Sequence, residues 1–354
     1  MKKTLGLTAL LVSSALSSAA IAQTTVTGNV VLGISGKTND SATKAEKSFR
    51  QTIRETQVNI RNNGKLSNGI DYQAGFSFEL DGEDLSTTTG NSNSGLTNGW
   101  HYEQTYINLR FGTTLVHFGS DWFQNPDADM TNIVGGETDV DNVVNFIDGT
   151  SVSKVGGANS PYGRTGTGIL QTVPGIGNFS VYYAPEPMSG TSSANSSIKN
   201  VTLGNSAWEV GFVGDLGVKG LTASAFYNKE RTADKGGTAS SNNDLVGTAY
   251  KLKYVAGSVV PAAEYLETKA ASGVKVKTKQ VGLGFLATKE MTIGLNYATT
   301  EKDNTTVDEK IRGLAIGYNL GPMVVHGWVA DIENAGNLAD KKGKGALLKA
   351  TLAF

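Results

Sequence analysis

Residues 70–81 read IDYQAGFSFELD, and their side chains alternate between an apolar and a polar set. The apolar set is Ile70, Tyr72, Ala74, Phe76, Phe78 and Leu80, and the other set is Asp71, Gln73, Gly75, Ser77, Glu79 and Asp81. A period of two is typical of a strand, because the faces of a helix repeat near 3.6 residues. A packed core does not accept unpaired carboxylates. The segment is therefore predicted to be a strand with one apolar face and one face in water.

The same alternation recurs along the chain in short segments. The predicted strands are residues 25–36, 52–61, 70–81, 102–111, 115–120, 165–173, 179–184, 207–214, 221–229, 245–255, 259–268, 279–286, 291–300, 310–318, 323–331 and 344–354. Tight turns, such as those predicted at 62–64 and 67–69, alternate with longer polar loops. This alternation is typical of a transmembrane barrel with an even number of strands. The sequence predicts an all-β fold: a closed antiparallel barrel of about 16 strands.

The composition narrows the class of protein. The chain has 44 Gly, 7 Pro and no Cys, which excludes a disulfide framework and thiolate metal sites. Beyond residue 22 no apolar segment is long enough for a membrane-spanning helix. A closed sheet pairs every backbone polar group in hydrocarbon, so strands are the remaining way across. Aromatic residues near predicted strand ends suit interfacial girdles; they are Tyr72, Tyr182, Tyr183, Tyr227, Tyr254, Tyr297, Tyr318 and Trp328.

The first 22 residues have the pattern of a secretory signal. Lys2 and Lys3 precede an apolar run at 5–16 and the small residues 20–22, which predicts cleavage before Gln23. The alternative is an uncleaved anchor, but the run is shorter than the roughly 20 apolar residues that a spanning helix needs. Residues 23–354 are predicted to form a single domain. This part has 29 Lys and Arg against 32 Asp and Glu, with no clustered basic face for nucleic acid.

Residues 122–163 are the longest stretch without a persistent strand pattern, and they are acidic. We expect this insertion to fold into the lumen of the barrel and to narrow it. Its candidate constriction residues are Asp127, Asp129, Glu137, Asp139 and Asp141. One alternative interpretation is that these carboxylates are solvated loop charges. Another is that the pairs 127/129 and 139/141 bind Ca²⁺, although neither pair has the spacing of an EF-hand loop.

Several local motifs resemble those of the Gram-negative trimeric general porins, over essentially the whole mature length. Residues 164–174 (RTGTGILQTVP) resemble the strand that follows the constriction loop of that family. Residues 108–112 (NLRFG) and 116–119 (VHFG) resemble the preceding hairpin, and 319–322 (NLGP) a late periplasmic turn. The chain departs from the family pattern at Gln57, where many relatives have Arg, and at 133–137, where the Pro-Glu-Phe-Gly motif is missing.

The resemblance implies a site and a set of partners. Carboxylates of the infolded loop would face basic groups on the barrel wall, and charges at the narrowest part of a pore set its selectivity. The basic wall residues in the predicted lumen-facing phase are Arg61, Arg164, Lys251, Lys253 and Lys349. The alternating carboxyl terminus, with Leu352 and a final Phe354, looks like the signal read by the barrel assembly machinery. The family further implies a homotrimer in the outer membrane, in contact with lipid and lipopolysaccharide.

The expected function is a water-filled channel for passive diffusion of small hydrophilic solutes and ions. The acidic insertion favours a mild cation preference. A solute-selective channel and a non-conducting surface adhesin or structural barrel stay open as alternatives. No G-x-S-x-G, H-E-x-x-H or P-loop motif is present, so we expect neither catalysis nor a cofactor.

Overall fold

A computed structural model describes residues 23–39, 48–83, 101–120, 165–185, 206–230, 244–270 and 273–354. Sixteen antiparallel strands form a closed barrel in which each strand pairs with its neighbours in sequence. The strands are β1 Gln23–Asn39, β2 Ser48–Lys65, β3 Asp71–Glu83, β4 His101–Phe111, β5 Thr114–Gly119, β6 Gly166–Val173, β7 Gly177–Ala184, β8 Ala207–Gly214, β9 Leu221–Glu230, β10 Leu245–Tyr254, β11 Val259–Lys269, β12 Lys275–Leu286, β13 Met291–Lys302, β14 Glu309–Asn319, β15 Met323–Glu333 and β16 Lys342–Ala353. The predicted fold class and strand number are confirmed.

The first and last strands close the barrel. β1 pairs with β16 in antiparallel register from Asn29 opposite Ala353 to Asn39 opposite Gly343. Below that register the N–H of Gly28 donates to the Phe354 carbonyl oxygen at 2.9 Å, and the Phe354 N–H donates back at 3.0 Å. The Phe354 ring lies over Gly28, because a Cβ at residue 28 would come within 2.6 Å of the ring Cζ. The carboxyl-terminal residue is thus part of the seam.

Large apolar side chains cover the outward face. Val26, Leu32 and Ile34 of β1 are each 60% exposed. Comparable outward positions on the later strands are Val281, Leu283, Leu295, Leu314, Ile316, Val329 and Leu348. Such a band suits contact with the hydrocarbon layer of a membrane, which is about 25 Å tall in barrels of this kind.

Two of the predicted girdle residues point the other way. Tyr182 is buried between the exposed Val181 and Tyr183 on β7, and Trp328 is buried next to the exposed Val329 on β15. Because successive strand residues lie on opposite faces, both side chains lie inside the barrel. The prediction that they belong to the interfacial girdles was wrong.

One turn prediction was also wrong. Residues 62–64 lie within β2, which continues to Lys65 and pairs with β3 as far as Asp71. The turn comes later, where the Gly69 N–H donates to the Leu66 carbonyl oxygen and Gly69 has a φ of 84°. An Asn-Gly pair favours a turn, but cross-strand pairing along a long hairpin overrides that local preference here.

The loop between β15 and β16 folds back over the inner face of the barrel. It contains a single 3₁₀ turn, Ala335–Asn337. The Gly336 N–H donates to Glu309 Oε2 at 2.7 Å, and Asn337 Nδ2 donates to the Thr300 carbonyl oxygen at 2.7 Å. Ala335 also packs in a buried apolar cluster with residues of β13–β16. This short loop is therefore fixed to the wall at its outer end.

Among the residues that the structure describes, no helix has the length and apolar character needed to cross a membrane.

The outward face generates a prediction that depends on depth. Leu295, in the middle of the outward face of β13, is 56% exposed. Replacing it with Arg (Leu295→Arg) places a charge in hydrocarbon, and we expect a loss of about 2–4 kcal/mol of folding free energy. Equilibrium folding into lipid vesicles, followed by denaturant titration, measures this loss.

The matched control is Met291→Arg, which introduces the same side chain at the start of the same strand. There we expect a cost of about 0–1 kcal/mol, because the penalty falls near the interface. Equal costs at the two positions would contradict a lipid-facing assignment for this side of β13.

Candidate functional site

The inner face of the barrel carries many polar side chains, and it also holds buried apolar clusters such as that of Trp328, Ile332 and Leu347. Its buried polar and charged residues include Ser77, Asn108, His117, Ser180, Glu209, Ser224, Asn228, Glu230, Lys251, Glu264, Thr278, Gln280 and Asn296. They alternate along their strands with the exposed apolar residues of the outward face. An apolar exterior around a polar lumen is the arrangement of a membrane channel and not of a packed two-sheet core.

Four of the predicted basic wall residues lie on this inner face. Arg61 on β2 pairs in register with Thr25 and Gly75 and interacts with the Tyr106 side chain. Lys349 on β16 lies opposite the buried His326 of β15. That these residues act on passing solutes stays a prediction.

The two lysines of β10 lie on the other side of the lumen. β10 is eight strands from β2 in either direction round the closed barrel, so Lys251 and Lys253 lie half a circumference from Arg61. Lys251 is buried and lies in register with the buried Glu264 of β11 and Ser224 of β9. Lys253 is half-buried and lies opposite Ala262 and Thr222. The structure therefore separates the predicted wall cations into distinct groups.

The predicted acidic residues are not among the described residues. Asp127, Asp129, Glu137, Asp139 and Asp141 lie outside the described ranges, and so does Arg164. The constriction assignment therefore stays a prediction, as do the two Asp pairs considered for Ca²⁺. Within the described ranges, no group of three or more potential metal ligands is found.

A polar network on the inner face of β3–β5 was not predicted. Asn108 Nδ2 donates to Gln73 Oε1 at 3.1 Å, and Asn108 Oδ1 lies 2.7 Å from His117 Nδ1. The His117 ring stacks on Tyr106 with ring centres 6.1 Å apart and contacts Tyr182 at 5.9 Å. The Tyr182 hydroxyl donates to the Gly119 carbonyl oxygen at 2.9 Å. This network lies beside the strand ends that lead into and out of residues 121–164.

Buried acids on β8–β11 were not predicted either. Glu209 accepts from Asn228 Nδ2 at 3.4 Å, while Glu230 and Glu264 are buried on the same face. The signal for them is present in the sequence, since each alternates with outward apolar or aromatic residues such as Val210. The predicted wet face of residues 70–81 includes the wall acids Glu79 and Asp81, and the same phase argument applied to β8–β11 gives these glutamates.

The terminal residues Leu352 and Phe354 lie on the outward face, where Leu352 pairs in register with Val30 and Met323. Both are exposed. Their position at the seam leaves them accessible, and their recognition by the assembly machinery stays a prediction.

The closed barrel with an apolar exterior and a polar lumen defines a membrane channel. The family model of the Gram-negative porins matches residues 6–351 of the 354-residue chain. The chain therefore belongs to the Gram-negative porin family, whose members are outer-membrane channels and not enzymes.

Solved structures show the same fold at low sequence identity. The anion-selective porin from Comamonas acidovorans is 15% identical, with a TM-score of 0.64 over 94% of this chain and 100% of its own. A mutant of the Rh. blastica porin is 12% identical, with a TM-score of 0.59 over 94% and 100% of the two chains. A loop-deletion mutant of OmpT from Vibrio cholerae is 10% identical, with a TM-score of 0.59 over 94% and 99%. Comparison with curated proteins gives no match.

The network around His117 generates a stability prediction. Asn108→Leu removes the hydrogen bonds to His117 and Gln73 while keeping a similar volume. Because it takes one partner from buried polar groups, we expect a loss of about 1–3 kcal/mol. Denaturant unfolding of the reconstituted protein measures this loss.

Asn296→Leu is the matched control. Asn296 is a buried inner-face Asn whose Oδ1 has no hydrogen-bond partner within the described part of the chain. We expect that variant to be nearly neutral, since it removes a desolvated group and leaves no partner unpaired. Similar losses in both variants would show that the network adds nothing beyond general packing.

Proposed function

We propose that this porin is a passive diffusion channel for small hydrophilic solutes and ions, with a mild cation preference. The observation that carries the proposal is the inner face, which carries charged and amide side chains that the apolar outward face lacks along most of its height. These side chains offer polar partners to a crossing solute, so its own gradient is sufficient to drive it.

The cation preference rests on the acidic composition of residues 122–163. The described inner wall supports a weak preference, because it carries acids and cations together. The buried acids are Glu209, Glu230, Glu264 and Glu309, and the inner-face cations are Arg61, Lys65, Arg110, Lys251, Lys253, Lys302 and Lys349. The similarity to an anion-selective porin is at 15% identity and concerns the fold alone.

The proposal also covers the export of the protein to the outer membrane, its assembly there and its oligomeric state. The signal pattern supports export with cleavage before Gln23, and membership of the family supports a homotrimer and recognition of the carboxyl terminus by the assembly machinery. Closure of the seam by Phe354 supports a role of this residue in completing the barrel.

Contact with lipopolysaccharide has support on the outward face. Above the apolar band, the outer ends of β12, β14 and β16 carry a cationic band, defined here as Lys275, Lys277, Lys279, Arg312 and Lys344. Acids of adjacent strands form ion pairs with three of these cations, at 3.0 Å for Lys275–Glu267, 2.5 Å for Lys279–Glu301 and 2.9 Å for Arg312–Glu333. Phosphate groups of the outer leaflet are natural partners for such a band.

Single-channel recording of the refolded protein in a planar bilayer with a salt gradient tests the proposal. We expect conductance steps in groups of three and a reversal potential on the cation side. Reversal on the anion side would contradict the cation preference and would indicate that the wall cations determine the ion selectivity. A folded barrel without conductance would contradict the diffusion function and favour the adhesin alternative.

The acidic segment generates a selectivity prediction. Changing Asp127, Asp129, Asp139 and Asp141 to Asn removes four negative charges, and we expect the cation-to-anion permeability ratio to fall toward unity or below it. The reason is that charges lining the narrowest part of a pore set its ion selectivity. The reversal potential in a tenfold salt gradient measures the ratio.

The matched control removes the same charge from the outward face. It changes Glu267, Glu301 and Glu333 to Gln and Asp331 to Asn, all of which share the face of their strands with the lipid-facing residues. This variant is expected to keep the reversal potential of the parent protein. An unchanged reversal potential in the variant of residues 122–163 would contradict the assignment of this segment to the constriction.

A further inference from the structure

A cavity of about 630 Å³ lies on the inner wall at the end of the barrel that carries the short turns. That end is periplasmic in bacterial outer-membrane barrels. Its lining includes Gln23, Asn63, Gln73, Asn108, Arg110 and Asp71, from β1 to β4. A volume of this size holds a small organic solute together with a few waters.

Four carboxamides stand side by side in this cavity because of strand register. Gln23 lies opposite Asn63, Asn63 opposite Gln73, and Gln73 opposite Asn108, on four consecutive strands. All four side chains share the inner face, so the wall presents an unbroken row of amide donors and acceptors. Directly opposed side chains are about 4.5–5.5 Å apart at Cβ, so neighbouring amides can bind different hydroxyl groups of one solute.

The network behind the row fixes one end of it. Asn108 is buried and held between Gln73 and His117 by hydrogen bonds of 3.1 and 2.7 Å. That orientation fixes the Gln73 amide oxygen on Asn108, so the Gln73 amide nitrogen, in the cavity wall, is not used in this bond. A pre-oriented donor loses less conformational freedom when a solute binds than a mobile one does.

At the edge of the row of carboxamides, the cavity carries a net positive charge. Lys65 and Asp71 form an ion pair at 2.5 Å and offset each other. Arg110, opposite Asp71 in register, is exposed, and it has no ion pair within the part of the chain that the structure describes. A guanidinium next to amides is a site for a carboxylate, which accepts two parallel N–H donors.

We propose that this cavity is a binding site for small hydroxylated carboxylates, such as sugar acids. Arg110 binds the carboxylate, and the Asn63 and Gln73 amides bind the hydroxyl groups. The proposal rests on the proposed function only in that a diffusing solute must reach the lumen. It adds a binding site at the periplasmic mouth, and this site holds one chemical class of solute longer than others.

The experiment uses sodium gluconate as probe and glucose as the uncharged comparison. Gluconate added on the periplasmic side of a single channel is expected to give concentration-dependent block, with glucose blocking more weakly. Arg110→Gln is expected to weaken gluconate block about tenfold or more, because hydrogen bonds to charged groups are the strong ones. The same variant is expected to leave glucose block unchanged. Gln73→Leu is expected to weaken block by both solutes about three- to tenfold.

Lys219→Gln is the matched control, because Lys219 is an exposed cation in the short turn between β8 and β9, at the same end of the barrel as Arg110. It removes the same charge from the same mouth away from the amide row, so gluconate block is expected to persist. Equal weakening by both variants would overturn the proposal in favour of general electrostatic attraction. Unchanged block in Arg110→Gln would also overturn it.

Calorimetric titration of the folded protein in detergent with gluconate separates this proposal from the diffusion function, because it needs no ion current. Binding that Arg110→Gln abolishes supports the site even in a barrel that does not conduct. A conducting barrel that shows neither binding nor block would overturn the site and leave the diffusion function standing.

Discussion

Backbone hydrogen bonds between β1 and β16 join the two ends of the chain, and the lumen exists only because they form. In hydrocarbon an unpaired N–H or C=O costs several kcal/mol, and an open sheet would expose a whole row of them. The seam ends in the reciprocal pair of bonds between Gly28 and Phe354. Any side chain at residue 28 would collide with the Phe354 ring and with the Gln57 carbonyl oxygen. Glycine there and phenylalanine at the end of the chain therefore act as one structural unit.

Closure also makes the faces of the strands consistent round the whole barrel. A slip of one residue would exchange lipid-facing and lumen-facing side chains along an entire strand. At one place the register shifts: Phe76 lies opposite Thr105 but Phe78 lies opposite Tyr102, so two steps on β3 span three on β4. Such a bulge re-aims side chains locally. After it, Tyr106 and Asn108 lie on the inner face, where they meet His117.

The strand number and the faces of most strands follow from the sequence, because a period of two persists wherever one face meets lipid. The sequence pattern does not show which side chains of neighbouring strands contact each other. Tyr182 and Trp328 have the composition of girdle residues, yet their phase places them inside, and that phase was readable from Val181 and Val329. The contact of His117 with Asn108 depends on the register across a hairpin, which local pattern alone does not supply. The roles of Asp127 to Asp141 depend on a segment that has no periodicity to read.

The distribution of charge along the lumen explains why selectivity should be weak in the proposed channel. Ion pairs such as Lys65–Asp71 have little field beyond their own dimensions, and the Debye length at physiological salt is about 8 Å. Arg110 and Lys253 are inner-face cations at the periplasmic mouth, and neither belongs to an ion pair found among the described residues. In the proposed arrangement, an acidic constriction and a basic mouth act in series on every ion. The constriction favours cations, while the mouth raises the local concentration of anions. A solute with both a carboxylate and hydroxyl groups is the class that gains from the mouth without relying on the field of the constriction.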